Sequence, residues 1–440
     1  MDSQLLPFRG AAEQILHDLS SGRSVSITGL SNTGKSTLVR GLAGEQAAKI
    51  YHDLSGRQAI LVYVDCNQAV TISAQAFYEI VLRSMVERLS DMLPNALEGM
   101  LRDHHQSVTQ AETSFTASLA FNLALTELSE QMDCDICLML DEFDELYIQL
   151  DERALLNMRA IRDRFRDRLT FLTATIHSLP EIRGSDVEGE FAELFSHSTY
   201  PMPLLDEDEA GEILGGLALP GLKEERLNAC IKLAGGHPGL LIAIAQAIAR
   251  LPDDWAGEML KAVVREPYPR AECLKLWEQL TPDERQALLQ HVLESDGDPE
   301  PSMRFRLERL GIMRQGKVFS PIFEDFVARR GRGADVREEG IYLDVDSGDV
   351  WVDGVRIPVL TDLEFRLMRL LYDRQDKLTD KYRIVTAVWG EAYLGDVDDA
   401  RVEKLISRLR SKIEPDPSAP RYLITQRGRG YKLMSRPRNE

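Results

Sequence analysis

The chain is poor in cysteine and has no long hydrophobic run. Five cysteines among 440 residues are too few for a disulfide framework, and this scarcity fits a reducing compartment. The longest apolar run, Leu240 to Ala249, is interrupted by Gln246 and is far shorter than the roughly 20 residues of a transmembrane helix. The first residues, Met1 to Gln4, have neither the basic segment nor the apolar core of a secretory signal. We therefore expect a cytoplasmic protein that does not interact with a membrane.

The chain also lacks an overall basic excess, since 71 acidic residues against 52 basic ones give a formal net charge of −19. Such a balance opposes contact with nucleic acid, because polyanions repel each other. The charge is unevenly distributed, however. Between Arg401 and Arg438 there are 11 basic and 3 acidic residues. A basic segment at the end of an acidic chain is typical of a local nucleic-acid contact.

The length of the chain and the spacing of its apolar segments predict several domains, the first of which is α/β. A chain of 440 residues contains roughly three domains of typical size. In the first 200 residues, strand-like runs at 59–64, 136–140 and 169–175 alternate with helical segments such as 77–89. Strands separated by helices predict a parallel sheet that is covered on both faces.

The rest of the chain is predicted to be helical, with an α+β block at its end. Residues 206–251 have a helical pattern throughout, and the capping box Thr281-Pro-Asp-Glu284 begins a second helical block with one hairpin. Short strands separated by the turn residues Asp346–Asp349 and Asp353-Gly354 begin the last block. Its first helix starts at another capping box, Thr361-Asp-Leu-Glu364.

A phosphate-binding loop lies between the first predicted strand and the helix after it. Residues 29–36, Gly-Leu-Ser-Asn-Thr-Gly-Lys-Ser, match the pattern G-x-x-x-x-G-K-[ST]. Its glycines let the backbone curl until several N–H groups point at one phosphate, and the helix N-terminus adds positive potential. Lys35 is expected to reach the β and γ phosphates, and Ser36 to bind Mg²⁺. The residues expected to contact the nucleotide are Gly29, Asn32, Thr33, Gly34, Lys35, Ser36 and Thr37.

An acidic strand end completes the nucleotide site. The apolar residues 137–140 are followed directly by Asp141 and Glu142. One carboxylate at such a position can hold Mg²⁺ through water, and the next can orient the water that attacks a phosphoryl group. Because a phosphate-binding loop lies about one hundred residues upstream, the acidic strand indicates a site of nucleotide hydrolysis. Asp141 is therefore predicted to be linked to the metal, together with Ser36.

With these two motifs the first part of the chain resembles the P-loop ATPases of the AAA+ and STAND (signal-transduction) families. The run Asp141-Glu142-Phe143-Asp144-Glu145 satisfies both the AAA+ and the STAND forms of the acidic motif. The resemblance implies ATP or ADP with Mg²⁺ as ligands, and Glu142 as the first choice of water-orienting residue, with Glu145 as the second. Thr173 or Thr175 stands where these families place a residue that senses the γ-phosphate. Threonine is also favoured in strands for its branched side chain, which is the alternative interpretation.

The segment Gly235-Gly-His-Pro-Gly239 resembles the glycine-proline motif of the STAND helical lid. In that family the proline region packs against adenine, which implies that Pro238 contacts the nucleotide. Proline is also common at a helix start, which is the alternative. Residues 271–330 resemble the winged-helix domain that follows the lid, where it is a packing module and not a DNA reader.

Residues 399–413 are predicted to form a helix with one apolar and one basic face. The apolar face consists of Val402, Leu405, Ile406, Leu409 and Ile413. Steps of three and four residues place a basic stripe on the exposed side, formed by Arg401, Lys404, Arg408 and Lys412. A hairpin with strands at 422–425 and 431–434 follows, and its Gly-rich tip carries Arg427 and Arg429. A basic helix next to such a hairpin suits double-stranded DNA.

The last hundred residues resemble the OmpR/PhoB-type winged helix-turn-helix domain of bacterial response regulators. The resemblance is carried by residues 360–365, Val388-Trp-Gly390, the helix that ends at Ile413, and Thr425-Gln-Arg-Gly-Arg-Gly-Tyr431. It implies that the basic stripe belongs to a recognition helix in the major groove, and that Arg427 and Arg429 belong to the wing. In this chain the ATPase-like part occupies the place of the phosphoacceptor receiver domain.

Together the resemblances imply a multidomain protein of five segments. They are a P-loop ATPase core (1–205), a helical lid (206–262), a winged-helix domain (263–330), a linker (331–337) and a winged helix-turn-helix domain (338–437). The chain is predicted to be a bacterial transcription regulator, in which binding and slow hydrolysis of ATP control the conformation or self-association of a DNA reader. Its expected partners are double-stranded DNA, further copies of the chain and an unidentified signal protein or ligand.

Two other functions fit the same motifs. The first is a motor or loader ATPase that acts on DNA, of the replication-initiator or transposition type, for which robust DNA-stimulated turnover without sequence preference would be the sign. The second is a signalling scaffold whose tail docks a protein. Failure of the tail to bind any duplex, whatever the salt concentration, would favour the scaffold. Contacts of lysine and arginine with phosphate would instead give binding that depends steeply on salt.

Overall fold

The structure is a computed structural model that describes most of the chain. The described residues are 8–90, 95–184, 189–217, 219, 221–252, 255, 257–264, 266–293, 298–331, 340–343, 350–353, 355–390, 399–426, 428–435 and 437. The predicted linker after Gly331, the turn Asp346–Asp349, Gly354 and Arg427 lie outside them. Within the described residues, no helix combines the length and the apolar character that a membrane crossing requires.

The first part of the chain contains a five-stranded parallel sheet, as the alternation of strands and helices predicts. The order of its strands is β2-β3-β4-β1-β5, so β1 lies between two strands that do not neighbour it in sequence. The carboxyl ends of β1, β3 and β4 therefore meet at one edge, where ligands of such sheets bind. The strands are β1 (Val25–Thr28), β2 (Ala59–Asp65), β3 (Asp135–Asp141), β4 (Leu169–Thr175) and β5 (Thr199–Pro201).

Both faces of this sheet are apolar and covered by helices. Leu61, Cys137 and Leu172 belong to the hydrophobic core on one face, whereas Val62 and Leu138 belong to the core on the other, as the alternation of side chains along a strand requires. The covering helices are α1 (Arg9–Ser20), α2 (Lys35–Leu42), α3 (Glu45–Ser55), α4 (Ala74–Leu89), α5 (Asn95–Thr109), α6 (Ser114–Gln131), α7 (Asp144–Gln149), α8 (Glu152–Phe165) and α9 (Leu179–Arg183).

The middle of the chain is helical, with one small hairpin, as predicted. The capping box at the start of α15 is confirmed, since the N–H of Thr281 donates to Glu284 Oε2 at 2.8 Å and the N–H of Glu284 donates to Thr281 Oγ1 at 3.3 Å. The helices are α10 (Glu207–Gly216), α11 (Glu224–Ala234), α12 (Pro238–Ile248), α13 (Met259–Val263), α14 (Pro267–Gln279), α15 (Pro282–Leu293), α16 (Pro301–Arg309) and α17 (Pro321–Gly331), with the hairpin β6 (Met313–Arg314) and β7 (Lys317–Val318) between the last two.

The end of α11 packs so closely against the segment before α17 that only glycine fits. Gly235 has φ 59°, and a Cβ atom on it would overlap with the backbone oxygen of Phe319. We expect Gly235→Ala to lower the free energy of unfolding by at least about 2 kcal/mol, because a left-handed residue with a side chain and a backbone clash both cost energy. The matched control is Gly184→Ala, since Gly184 has φ 58° and no described atom within 4 Å of its Cβ position. Chemical denaturation measures the loss in free energy of unfolding for both variants, and equal losses would contradict the expectation.

The C-terminal part is α+β and matches the predicted elements closely. The predicted helix at 399–413 is observed with the same bounds, and the hairpin strands differ from the prediction by one residue at their ends. The capping box between Thr361 and Glu364 begins α18. The elements are the antiparallel sheet β8 (Ile341–Leu343), β9 (Val350–Val352) and β10 (Val355–Arg356), the helices α18 (Asp362–Asp373), α19 (Lys381–Trp389) and α20 (Asp399–Ile413), and the hairpin β11 (Leu423–Gln426) and β12 (Gly430–Leu433).

Candidate nucleotide site and DNA-binding surface

The phosphate-binding loop joins the end of β1 to the start of α2 in a conformation that requires glycine at two positions. Gly34 has φ 95°, and a Cβ atom on it would lie 2.7 Å from the ring of Phe8. A Cβ atom on Gly29 would lie 2.8 Å from Cβ of Met202. In the part of the chain that the structure describes, the backbone N–H groups of residues 33–36 donate to no protein acceptor. These N–H groups are therefore available to an anion such as phosphate.

Lys35 is the first residue of α2, and only 4% of its surface is exposed. Its ammonium donates to the backbone oxygens of Gly29 and Leu30, the latter at 3.1 Å. Burial lowers the pKa of Lys35, and the carboxyl groups at the end of β3 act against this effect. An ammonium has three N–H donors, so one remains for a phosphate oxygen. The structure thus places the cation of the predicted site inside the loop.

An acidic cluster, consisting of Asp141, Glu142 and Asp144, follows β3. Asp141 Oδ2 accepts a hydrogen bond from the hydroxyl of Tyr63 at 2.9 Å, and Oδ1 accepts one from the N–H of Glu142 at 3.1 Å. Burial raises the pKa of Tyr63, and the charge of Asp141 raises it further. The two hydrogen bonds fix the orientation of the Asp141 carboxyl group at the end of β3. Tyr63, which belongs to no sequence motif, therefore positions Asp141.

Glu142 and Asp144 are both close enough to Lys35 to affect its pKa. Burial raises the pKa of each of these carboxyl groups above its ordinary value. Asp144 Oδ1 accepts the N–H of Ile176 at 2.8 Å, whereas its Oδ2 is buried without a donor among the described residues. A carboxyl group with a raised pKa is suited to take a proton from water. Asp144 therefore joins Glu142 as a candidate for that role.

Glu145, the second predicted water-orienting residue, is placed differently. It lies on the exposed side of α7, where it accepts a hydrogen bond from Gln149 at 3.2 Å. The charges that raise the pKa of Lys35 are those of Glu142, Asp144 and Asp141, and Glu145 is not among them. The structure therefore brings Glu142 and Asp144 to the site and leaves Glu145 outside it.

The oxygen donors at the loop suit Mg²⁺. Ser36 is half-buried in the first turn of α2, Thr37 beside it is exposed, and Asp141 ends β3 at the same edge of the sheet. No group of three or more His, Cys, Asp or Glu side chains among the described residues could hold a metal ion by itself. Mg²⁺ bound with a nucleotide needs only one or two protein oxygens, since phosphates and water supply the rest. The hydroxyl of Ser36 and the carboxylate of Asp141 fit this requirement.

The two threonines at the end of β4 are both buried, and their hydroxyl groups are engaged. Thr175 donates to the backbone oxygen of His177 at 2.7 Å, and Thr173 donates to the hydroxyl of Ser26 at 3.0 Å. Thr175 lies next to the loop, because its backbone oxygen accepts the N–H of Gly29 at 3.1 Å. Thr175 thus lies beside the loop, and both its contact with the nucleotide and sensing by its hydroxyl remain predictions.

The lid motif contacts the phosphate-binding loop through His237, the N-cap of α12. Its Nδ1 accepts the N–H of Leu240 at 3.1 Å, so Nε2 carries the hydrogen and donates to the backbone oxygen of Ser31 at 3.2 Å. Pro238 is the first residue of the helix and is half-buried. The motif therefore lies on the loop, and the contact of Pro238 with adenine remains a prediction.

The buried imidazole predicts an acid-sensitive contribution to stability. Burial lowers the pKa of His237 to about 4, below the value of about 6.5 in an unfolded chain. Between these two pH values the unfolded chain binds a proton that the folded chain does not. The free energy of unfolding therefore decreases as the pH is lowered, by up to about 1.4 kcal/mol per pH unit. We expect His237→Asn, which can still cap the helix but does not titrate, to lose less stability between pH 6.5 and pH 4. Denaturant unfolding at each pH measures this, and equal losses in both proteins would contradict it.

Two helices hold residues 31 and 32 of the loop from outside. The N–H of Gly239 donates to the backbone oxygen of Asn32 at 3.1 Å. On α14, Gln279 Oε1 accepts the N–H of Ser31 at 2.8 Å, and Glu272 Oε2 accepts the side-chain amide of Asn32 at 2.8 Å. These α14 residues belong to no motif and are about 240 positions away in sequence, so no local pattern reveals them.

At the other end of the chain, α20 has the predicted faces. Its buried side chains are those of Val402, Leu405, Ile406, Leu409 and Ile413. Arg401, Lys404 and Arg408 are exposed. Three cations of the predicted stripe therefore lie on the surface, along one side of a helix that is anchored by its opposite side.

Lys412 differs from the other members of the stripe. It is half-buried, and its ammonium donates to the backbone oxygen of Val359 at 2.7 Å and to Glu364 Oε2 at 2.8 Å. The structure therefore engages Lys412 within the domain, where it links α20 to the start of α18. At the hairpin tip Arg429 is exposed, whereas Arg427 lies outside the described residues.

These observations define a class of protein. The sheet order, the loop after β1 and the acidic end of β3 are those of a P-loop nucleotide-binding core, and α18 to α20 with the last hairpin form a winged helix-turn-helix domain. The chain is a multidomain protein that joins the two through helical segments.

Comparison with known proteins identifies the C-terminal domain. Residues 357–433 match the family described as "Transcriptional regulatory protein, C terminal". The chain is 39% identical over 85 residues to an uncharacterized transcriptional regulatory protein, YrkP, of Bacillus subtilis, and 39% identical over 116 residues to the sensory transduction protein RegX3 of Mycobacterium leprae. These matches cover 19% and 25% of this chain, and 36% and 57% of the two relatives. The OmpR/PhoB-type domain inferred from the sequence is thereby confirmed.

Solved structures resemble the larger part of the chain. A Walker-type ATPase of Pyrococcus abyssi aligns with 72% of this chain, and the alignment includes 95% of the ATPase. The sequence identity is 14% and the TM-score is 0.47. The Aeropyrum pernix ORC1 protein, solved in complex with DNA, covers 75% with 94% of its length, at 14% identity and a TM-score of 0.40. At these scores neither likeness supports an argument about what this chain does.

Proposed function

We propose that this chain is an ATP-controlled transcription regulator. The observation that carries the proposal is the combination of two features in one chain. One is a phosphate-binding loop whose N–H groups at 33–36 have no acceptor among the described residues, and the other is a regulator-type DNA-binding domain with an exposed basic helix. Nucleotide binding at the loop controls the conformation or self-association of the chain. Two DNA readers brought together in this way bind a duplex more tightly, because the second contact becomes intramolecular.

The nucleotide site supports slow hydrolysis of ATP. Lys35 neutralises the β and γ phosphates, while Ser36 and Asp141 would hold Mg²⁺, which would stabilise negative charge on the phosphates. Glu142 accepts a proton from the attacking water, with Asp144 as the alternative, since burial raises the pKa of both carboxyl groups. Hydrolysis then returns the chain from its ATP form to its ADP form and limits the duration of the signal.

The C-terminal domain reads DNA through α20. Its exposed cations Arg401, Lys404 and Arg408 enter the major groove or contact phosphates, and the tip of the last hairpin, with Arg429 and Arg427, contacts the neighbouring backbone. The relatives that match this domain include a sensory transduction protein and a transcriptional regulatory protein. We place the protein in the bacterial cytoplasm, where such a reader meets its DNA.

We also propose the domain boundaries that the sequence predicts. They are a nucleotide-binding core at 1–205, a lid at 206–262, a winged-helix domain at 263–330, a linker at 331–337 and the DNA reader at 338–437. The last boundary is supported by the element bounds, since the last helix of the middle part ends at Gly331 and β8 begins at Ile341.

Selection of bound sequences from a random DNA pool tests the proposal. The full chain is used with a non-hydrolysable ATP analogue, with ADP and without nucleotide. We expect one enriched sequence family whose recovery depends on the nucleotide. Recovery of the same sequences in all three conditions would contradict nucleotide control. Binding without sequence preference, combined with rapid DNA-stimulated ATP turnover, would instead support a motor or loader ATPase.

A further inference from the structure

One carboxylate joins the phosphate-binding loop to the DNA-binding domain. Glu272 lies on α14 and is 7% exposed. Its Oε2 accepts the side-chain amide of Asn32 at 2.8 Å, and its Oε1 accepts the hydroxyl of Tyr342 at 3.1 Å. Asn32 belongs to the phosphate-binding loop, and Tyr342 belongs to β8 of the winged helix-turn-helix domain. A single side chain therefore touches the nucleotide site and the DNA reader at once.

An aromatic interface surrounds this link. The ring of Tyr342 lies 6.4 Å from that of Tyr268 on α14 and 5.3 Å from that of Trp351 on β9. Trp351 and Tyr342 pack with the core that contains the middle helices, whereas the buried aliphatic residues of the same sheet pack within the DNA reader; these are Ile341, Leu343, Val350 and Val352. Tyr268 in turn contacts Tyr372 on α18 at 5.7 Å. The reader is thus docked on α14 through four aromatic rings and the carboxylate of Glu272.

The docked arrangement contains features that allow it to open. The indole Nε1 of Trp351 is buried and donates to no acceptor among the described residues, which weakens the interface. The recognition helix α20 stays exposed while the reader is docked. Docking therefore restrains the orientation of the reader without covering its DNA-binding surface. Release would free two readers to bind one duplex together.

The charge of Glu272 acts at the nucleotide site. Its cationic partner is Lys275, whose Nζ lies 3.1 Å from Oε1, and both side chains are about one-tenth exposed. The negative charge of Glu272 raises the pKa of the His237 imidazole, whereas the positive charge of Lys35 lowers it. Phosphates in the loop add negative charge close to this buried carboxylate, and like charges repel strongly where water is excluded.

We propose that the phosphates of ATP displace Glu272 from Asn32 and thereby release the DNA reader from α14. This inference rests on the proposed function, since it names the step by which the nucleotide acts on the reader. On this proposal the reader is docked when no phosphate occupies the loop. By reciprocity, any change that undocks the reader also makes the nucleotide bind more tightly.

The docking is measured directly as a distance between two spin labels. One label is placed by Arg153→Cys on α8 and the other by Lys377→Cys in the reader, both at exposed positions. The five native cysteines are buried and do not compete for the label. We expect one narrow distance distribution without nucleotide and a broad one with the non-hydrolysable ATP analogue and Mg²⁺. An unchanged distribution at saturating analogue would overturn the inference.

Two variants test the role of the carboxylate, and a third serves as a control. Glu272→Gln removes the charge, and Tyr342→Phe removes only the hydroxyl that bonds to it. We expect both to give the broad distribution without nucleotide and to bind a fluorescent ATP analogue at least about fivefold more tightly, the lower limit of typical coupling. Glu224→Gln, at an exposed position on α11, should behave as the wild type. If Tyr342→Phe also behaves as the wild type, the inference is wrong.

Failure of the inference and failure of the proposed function give different results. If the fluorescent ATP analogue does not bind the wild-type chain, the proposed nucleotide control is wrong and the inference falls with it. If the analogue binds and changes the affinity for DNA while the label distance stays the same, nucleotide control stands. In that case the link through Glu272 is overturned.

Discussion

Replacing Lys35 by alanine is expected to weaken ATP binding by roughly 10- to 150-fold, which corresponds to the 1.5–3 kcal/mol of a hydrogen bond to a charged group. The ammonium lies inside the loop and is held by the backbone oxygens of Gly29 and Leu30. Burial raises the pKa of Glu142 and of Asp144, and the charge of Lys35 opposes this effect at both carboxyl groups. Titration with a fluorescent ATP analogue measures the loss.

The same substitution is expected to abolish the effect of ATP on DNA binding. The matched control is Lys49→Ala, since Lys49 is exposed on α3 and has no hydrogen bond or ion pair within the described residues. Thermal unfolding of both variants shows whether they are folded. An unaltered affinity for the analogue in folded Lys35→Ala would contradict the assignment of the site.

Replacing Arg408 by alanine is expected to weaken binding to the selected duplex by about 1–3 kcal/mol, the range for a base contact by arginine. Arg408 lies in the middle of the exposed stripe on α20, whose opposite face is buried. If its contact is with a base, sequence preference relaxes at one position of the site. If its contact is with a phosphate, the slope of log affinity against log salt decreases by about 1.

Lys412→Ala provides the matched comparison on the same helix. Its ammonium is bound to Glu364, whose side chain is 5% exposed, so removal leaves a buried carboxylate without its cation. We expect the variant to destabilise the C-terminal domain and to leave the salt slope of DNA binding unchanged. A loss of salt slope in folded Lys412→Ala would show that Lys412 contacts DNA, as the sequence pattern alone predicts.

Much of the fold follows from local patterns. The helix 399–413 is recognisable because its apolar residues recur at helical spacing, and the capping boxes at Thr281 and Thr361 mark helix starts by chemistry that acts over three residues. The parallel sheet follows from strands that alternate with helices. Such signals depend only on neighbours in sequence, so they can be found in a single sequence.

The contacts around the nucleotide site could not be predicted in the same way. Tyr63 positions Asp141 from an adjacent strand, and Glu272 reaches Asn32 from a helix about 240 residues later. These partners meet only because of the strand order and the packing of α14, which local spacing does not encode. Lys412 has the spacing of a DNA contact, yet its long side chain reaches Glu364 on another helix. Periodicity identifies the face of a helix, whereas the partner of a flexible side chain depends on tertiary structure.

The central claim is that the nucleotide controls DNA binding, and one measurement tests it most directly. The dissociation constant of the full chain for its selected duplex is determined with the non-hydrolysable ATP analogue and with ADP, at one fixed salt concentration. We expect at least about fivefold tighter binding with the analogue, and an equal tightening of the analogue when the duplex is present. Equal dissociation constants at saturating analogue and saturating ADP would contradict the claim.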